Sequence, residues 1–271
     1  YRNTGGYFRY SFGSPFSSRM RVTDNVLVTP ADYDTFCITA PRDSRLPNGG
    51  GYQVCNLADI KPGKFGQVQN VVQLAKNYGN FITSNNFFNV AIDARLPRGM
   101  FITGGFDTGR TVQDRCFVVD SPQELLNCRV VTPYKAQTQL KLQGIVPIAK
   151  GFVTSAVWQN LSGPSYDANL AVTTAQVQQS LGRPLSGGVQ TITVPLVAPQ
   201  TLFEARISRL DLRLSKSFKV QRLRIQANVD AYNVLNANPV RSVNSVYGGN
   251  WTRPTQILDA RLVQFGGQVS F

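Results

Sequence analysis

The sequence predicts an all-β protein whose antiparallel strands cross a membrane as the wall of a barrel. Three observations carry that prediction. Apolar and polar residues alternate over stretches longer than soluble sheets ordinarily use, short turns alternate with long loops, and no apolar run is long enough for a transmembrane helix. The alternation is plainest in residues 257–271, where Phe271, Val269, Gly267, Phe265 and Val263 share one face and Ser270, Gln268, Gly266 and Gln264 the other. The hairpin before it, 207–235, repeats the pattern. Leu210, Leu212 and Leu214 alternate with Arg209, Asp211 and Arg213, then Leu223, Ile225, Ala227 and Val229 with Arg222, Arg224, Gln226, Asn228 and Asp230. Lipid on one side and an aqueous lumen on the other account for the division.

In chain order, residues 5–22 read as the first strand, with Phe8, Tyr10 and Phe12 opposite Tyr7, Arg9 and Ser11. The period disappears over 23–78, where Pro30, Pro41, Pro47, Gly49, Gly50, Gly51, Pro62 and Gly63 punctuate a long polar external loop. From Asn86, Phe88, Val90, Ile92, Ala94 and Leu96 oppose Asn89, Ala91, Asp93 and Arg95, and a turn at Pro97 leads into a strand over 100–106. Residues 107–133 are irregular. Tyr134, Ala136, Thr138, Leu140 and Leu142 then alternate with Lys135, Gln137, Gln139, Lys141 and Gln143, and a turn at Pro147 opens the strand 151–161, with Phe152 and Trp158. Irregular segments at 161–200 and 237–256 flank the final hairpin, which closes near 219–221. Short connections at Pro97, Pro147 and Val220 thus alternate with long ones at Thr23, Asp107, Gly163 and Ala237. About eight strands result, with long loops outside, short turns in the periplasm, and Phe271 on the periplasmic side.

The 271 residues carry a formal charge of +13 and no histidine. Arg and Lys are dispersed along polar faces instead of clustered among aromatics, which argues against a nucleic-acid partner and for a cationic lumen or contacts to anionic headgroups. Cys37, Cys55, Cys116 and Cys128 permit three pairings; near neighbours are expected to join, 37 with 55 and 116 with 128, in an oxidising compartment. Zinc would need a close Cys pair or a histidine. Without histidine there is no Ser-His-Asp or Cys-His arrangement, and the scattered carboxylates give no glycosidase pair, so no enzyme, cofactor or metal site is expected. Asp24, Asp32 and Asp34 offer oxygen ligands for Ca²⁺ or are solvated turn residues. Gly49-Gly-Gly lacks the Lys-Ser/Thr of a phosphate cradle and reads as a flexible loop. Trp158, Trp251, Tyr134, Tyr166, Tyr232 and Tyr247 fit an interfacial girdle; Tyr166, Tyr247 and Trp251, out in the loops, are candidates to stack on a ligand such as a sugar.

Several runs carry a family resemblance. Arg209-Leu-Asp-Leu-Arg-Leu-Ser-Lys-Ser-Phe, Asn228-Val-Asp-Ala-Tyr-Asn-Val-Leu-Asn-Ala-Asn and Trp251-Thr-Arg-Pro-Thr-Gln-Ile-Leu-Asp-Ala-Arg before a terminal Phe resemble the end of a TonB-dependent outer-membrane receptor, of the subgroup with an N-terminal carboxypeptidase-regulatory-like domain. Ser180-Leu-Gly-Arg-Pro-Leu-Ser-Gly-Gly, Ala94-Arg-Leu-Pro-Arg-Gly, Thr108-Gly-Arg-Thr-Val and Asp43-Ser-Arg-Leu-Pro-Asn-Gly-Gly-Gly-Tyr-Gln-Val-Cys extend it over nearly the whole chain. The resemblance implies a barrel of about 22 strands around an internal plug, taking up a scarce nutrient, an iron chelate or a glycan, in the outer membrane of a Gram-negative-type bacterium. Residues 1–271 are then its carboxy-terminal portion. Expected partners are the lipid bilayer, the remaining plug and barrel, TonB through segments outside this sequence, and the barrel-assembly machinery, which would read Phe265, Val269 and Phe271.

Three alternatives stay open. A soluble β-sandwich also has one polar face, but needs its apolar faces to meet in a dry core. A small self-contained barrel with a structural or adhesive role must fill its interior with cations, 28 bases against 15 acids. A secreted β-protein would assemble with its own copies through open strand edges.

Overall fold

The computed structural model describes residues 4–12, as backbone, and residues 20–271. Strand β1 (Thr4–Phe12) is followed by four shorter ones, β2 (Arg21–Asn25), β3 (Tyr33–Thr39), β4 (Gln53–Ile60) and β5 (Asn70–Leu74). Next come β6 (Ile82–Arg95), β7 (Phe101–Asp114), β8 (Arg129–Thr132), the single helical turn α1 (Tyr134–Gln137), β9 (Gln139–Pro147) and β10 (Phe152–Leu161). Strands β11 (Ser165–Tyr166) and β12 (Asn169–Thr173), helix α2 (Thr174–Leu181), and strands β13 (Thr191–Pro195) and β14 (Leu202–Phe203) precede β15 (Ile207–Val220) and β16 (Leu223–Tyr232). The last three are β17 (Val240–Val243), β18 (Pro254–Ile257) and β19 (Leu262–Ser270).

The fold is all-β, built on one antiparallel sheet in the order β1-β6-β7-β9-β10-β15-β16-β19, with β8 added beside β7. Each strand pairs with the next long one in sequence. Tight turns at 96–100, 148–151 and 221–222 therefore lie at one end, and the long connections 20–81 (as far as described), 115–138, 162–206 and 233–261 at the other. The sheet is open: β1 and β19 are its edges and do not pair with each other.

Directly opposed residues of antiparallel strands share a face, so the register follows each face across the sheet. One row runs Ala94, Ile102, Gly144, Ala156, Leu212, Ala231, Val263, all small or apolar. The adjacent row on the other face runs Ser155, Arg213, Asp230, Gln264. At several positions of β15, β16 and β19 burial is inverted relative to a soluble sheet, although Arg213 and Gln264 of the polar row are exposed too and Ala94 of the apolar row is buried. Leu212, Leu214, Val229 and Phe265 are 38%, 44%, 39% and 77% exposed, whereas Ser215 and Asp230 are 8% and 6% exposed. Among the described residues no second layer covers the apolar face, which removes the dry core that a β-sandwich requires.

Several boundaries differ from the sequence expectation. The last strand begins at Leu262, because Ile257 belongs to β18 and pairs with Val240 of β17. Residues 134–137 alternate in polarity yet form a helical turn after Pro133, with Ala136 N–H donating to the Pro133 carbonyl at 3.0 Å. Strand β7 continues past Phe106 to Asp114, held by β6 and β8. Residues 13–19 of the expected first strand lie outside the described residues, and Arg21 and Val22 pair with β5.

The apolar core lies away from the sheet. Phe36, Ile38, Leu46 and Leu57 of the first long connection pack with Val172, Val177, Val194 and Leu196 of the third and Trp251 of the fourth. The segments expected to be irregular thus fold into a cap at the long-loop end. Helix α2 starts there because Thr173 and Gln176 satisfy each other's backbone N–H groups, and it stops at Gly182, whose φ of 78° suits a left-handed cap.

Candidate functional site

Two places can meet a solute: the polar face of the sheet and a cavity beside β2. On the polar face, Arg213 pairs with Asp230 across β15 and β16, Arg209 Nε donates to Asp211 at 2.8 Å, and Gln226 donates to Asn228 at 3.0 Å. Asn89 donates to Asp107 on the same face. The Arg209 guanidinium also lies 6.0 Å from the ring centre of Tyr232, which places that tyrosine on the polar side instead of in a lipid-facing girdle. Trp158 is on the apolar face, its indole N–H donating to Ser208 Oγ at 3.2 Å near the cap end. Tyr134 is half exposed.

The cap is one interlocked body. Arg183 joins the first and third connections: its guanidinium reaches Asp34 at 2.8 Å, Asp59, and the carbonyls of Asp59 and Ile60 at 3.3 and 3.2 Å. Tyr52 Oη donates to the Leu196 carbonyl at 2.7 Å, and Cys37 N–H to Ser180 Oγ at 3.0 Å. Ala58 N–H donates to Gln123 Oε1 at 2.6 Å, tying in the second connection.

Tyr166, Tyr247 and Trp251 are brought together, but as packing. The Tyr166 and Tyr247 ring centroids lie 6.4 and 5.2 Å from that of Trp251, a residue only 2% exposed whose indole N–H donates to the Asp167 carbonyl at 2.8 Å. Arg45 stacks over the indole at 5.0 Å and bonds Asp43, which also accepts from Tyr247 Oη at 3.1 Å. The Arg45 guanidinium beside it holds the Asp43 carboxyl far below the usual range, and burial pushes the Tyr247 and Tyr166 phenols up. The indole is therefore closed to the ligand stacking expected of it.

The carboxylates Asp24, Asp32 and Asp34 do not converge. Asp24 accepts from Tyr78 Oη at 2.5 Å, a bond that pushes the phenol up to about 12. Asp32 accepts from Thr29 N–H at 2.8 Å, and Asp34 belongs to Arg183. Among the described residues no three His, Cys, Asp or Glu side chains form a metal-holding group. Gly49, Gly50 and Gly51 form an ordered turn, not a flexible loop: all have φ near 75°, and a Cβ on Gly50 would lie 1.9 Å from the Pro41 carbonyl oxygen. Cys37 is bonded to Cys55, bridging β3 and β4, and Cys116 to Cys128.

A cavity of about 470 Å³, missed in the sequence, opens between β2 and the Cys116–Cys128 loop. Arg21, Arg115, Phe81, Phe117 and Glu124 line it. Burial raises the Glu124 carboxyl, while its Oε2 accepts from Val119 N–H at 2.5 Å. The sequence held no signal for this cavity or for Arg183, whose partners Asp34 and Asp59 are 149 and 124 residues away. Phe265, Val269 and Phe271 are exposed on the apolar face of the edge strand β19 and its end.

No family model matches this chain, and no curated protein does. Among solved structures, the outer membrane transporter YddB from Escherichia coli is similar over 98% of this chain and 30% of its own, at 11% identity and a TM-score of 0.44. The chain thus spans less than a third of that protein's length.

Proposed function

We propose that this chain is lipid-facing wall, lumen surface and external cap of a TonB-dependent outer-membrane receptor, which imports a scarce nutrient such as an iron chelate or a glycan. The observation that carries the membrane reading is the inverted sheet: Asp230 is withdrawn from solvent on one face while Leu214 and Val229 stand exposed on the other. The transport reading is supported by the polar face, whose ion pairs and amides suit a wet passage, and by the sequence resemblance. The unpaired edges β1 and β19 favour further strands completing a wider barrel over a closed barrel of these strands alone.

The mass of the intact polypeptide extracted from membranes tests this reading. A membrane species several times heavier than the 29.8 kDa of this chain is expected. A membrane species near that mass would instead identify a small self-contained barrel, and one in the medium a secreted assembly.

A further inference from the structure

The tight-turn end of the sheet carries a charge pattern that neither the passage nor the cap uses. Segments 94–102, 146–154 and 216–226 hold Arg95, Arg98, Lys150, Lys216, Lys219, Arg222 and Arg224, and none of the chain's 15 carboxylates. All but Lys216 are exposed, and among the described residues none of the seven forms an ion pair. Lys219 and Arg224 are directly opposed across β15 and β16 on the polar face, beside Ser270, so they add to the positive charge of the rim but not to its lipid-facing side.

Lys216 is the informative residue. By register it sits on the apolar face, in a row with Phe152 and Ala227. Its ammonium lies 4.2 Å from the Phe152 ring centre and 5.5 Å from that of Phe218, and donates to the Lys150 carbonyl in the turn. A lysine on a lipid-facing surface directs its charge along its own stem to the nearest headgroup level. The surrounding side chains are apolar and exposed: Ile148, Phe152, Phe218, Val220 and Leu223. Cations, phenylalanines and bare aliphatics at one level match a phospholipid, with phosphate on the ammonium and guanidinium groups and acyl chains along the apolar face.

We infer that the tight-turn rim around Lys150, Lys216 and Arg222 is a binding surface for the headgroup of an anionic phospholipid in the periplasmic leaflet. This rests on the membrane reading above. Charge complementarity selects the occupant: a zwitterionic headgroup brings its own cation and gains less from turn segments that hold no Asp or Glu.

The test is native mass spectrometry of the full-length protein in detergent, titrated with phosphatidylglycerol or phosphatidylcholine. The wild type is expected to retain phosphatidylglycerol at least about tenfold better, as basic residues at a membrane surface imply. The K150Q/K216Q/R222Q variant should bind the two lipids equally, K150R/K216R should keep the preference, and K61Q/K64Q/K76Q, in the cap, should leave it unchanged. Equal binding by the wild type, or a preference that survives the glutamine substitutions, overturns the inference alone. A protein that stays soluble without detergent and takes up neither lipid overturns the membrane reading as well.

Discussion

Arg213 and Asp230 face each other across β15 and β16, with guanidinium Nη2 3.1 Å from carboxylate Oδ2, while their sequence neighbours Leu214 and Val229, also directly opposed, point to the other side. The carboxylate is only 6% exposed as a residue, and the two aliphatics are 44% and 39% exposed. Water can serve the first pair, but the second loses free energy in it, about 25 cal/mol for each Å² of apolar surface left wet. The proposed hydrocarbon on one side would resolve the conflict.

A charge introduced on either side therefore has a different cost. Val229→Arg should lower membrane insertion by about 2–4 kcal/mol, and Asn228→Arg should be tolerated, because only the first meets hydrocarbon. Surface expression of the full-length variants is the readout, and equal expression would count against the orientation.

Arg183 bonds carboxylates and carbonyls from a distant loop; its removal takes the side-chain donor from Asp34 and breaks the tie between the first and third connections, while Asp59 and the Ile60 carbonyl keep Ser186. Arg183→Met should weaken the cap by roughly 2–3 kcal/mol. Hydrogen exchange should accelerate in β3, β4 and α2 while the main sheet stays protected.

Trp251 is the largest buried side chain of the cap, and Trp251→Ala should cost about 3–5 kcal/mol of cap stability. Membrane insertion should persist, since the residue lies outside the main sheet. Loss of insertion together with the cap would show that the two fold as one unit.

Each disulfide closes a loop, with sequence separations of 18 and 12, worth about 3 kcal/mol on loop-entropy grounds. Reduction should make the segments around Cys37 and Cys116 sensitive to protease. An unchanged digest would mean that cap packing alone holds them.

Glu124 supplies a pH dependence with a definite sign. Burial raises its folded pKa above 4.5, so the folded state binds this proton more tightly than the unfolded one. Stability from this group is therefore full below 4.5 and declines as pH rises through the folded value. Glu124→Gln should flatten that decline in thermal melts of the cap, while still accepting from Val119 N–H.

The strands of the main sheet were legible because the pattern that forms them is local. Period-two polarity at Leu223 to Val229 and tight turns at Pro97 and Pro147 are set by neighbours a few residues apart. The cap was not legible, for the opposite reason. Its strands are short, β3 and β4 mix buried and half-buried positions, and Trp251 meets Arg45 from 206 residues away. An aromatic residue in a loop looks the same in sequence whether it waits for a ligand or fills a core. Residues 134–137 show the converse error, since polarity alternated where Pro133 favoured a helical turn.

The most direct measurement is spin labelling of β15 and β16 in the full-length protein within a bilayer. Labels at Leu212→Cys, Leu214→Cys and Val229→Cys should collide with dissolved oxygen and be shielded from a water-soluble nickel chelate, and labels at Arg213→Cys and Asn228→Cys should show the reverse. Equal access of the chelate to both sets would contradict a sheet with lipid on one face and water on the other.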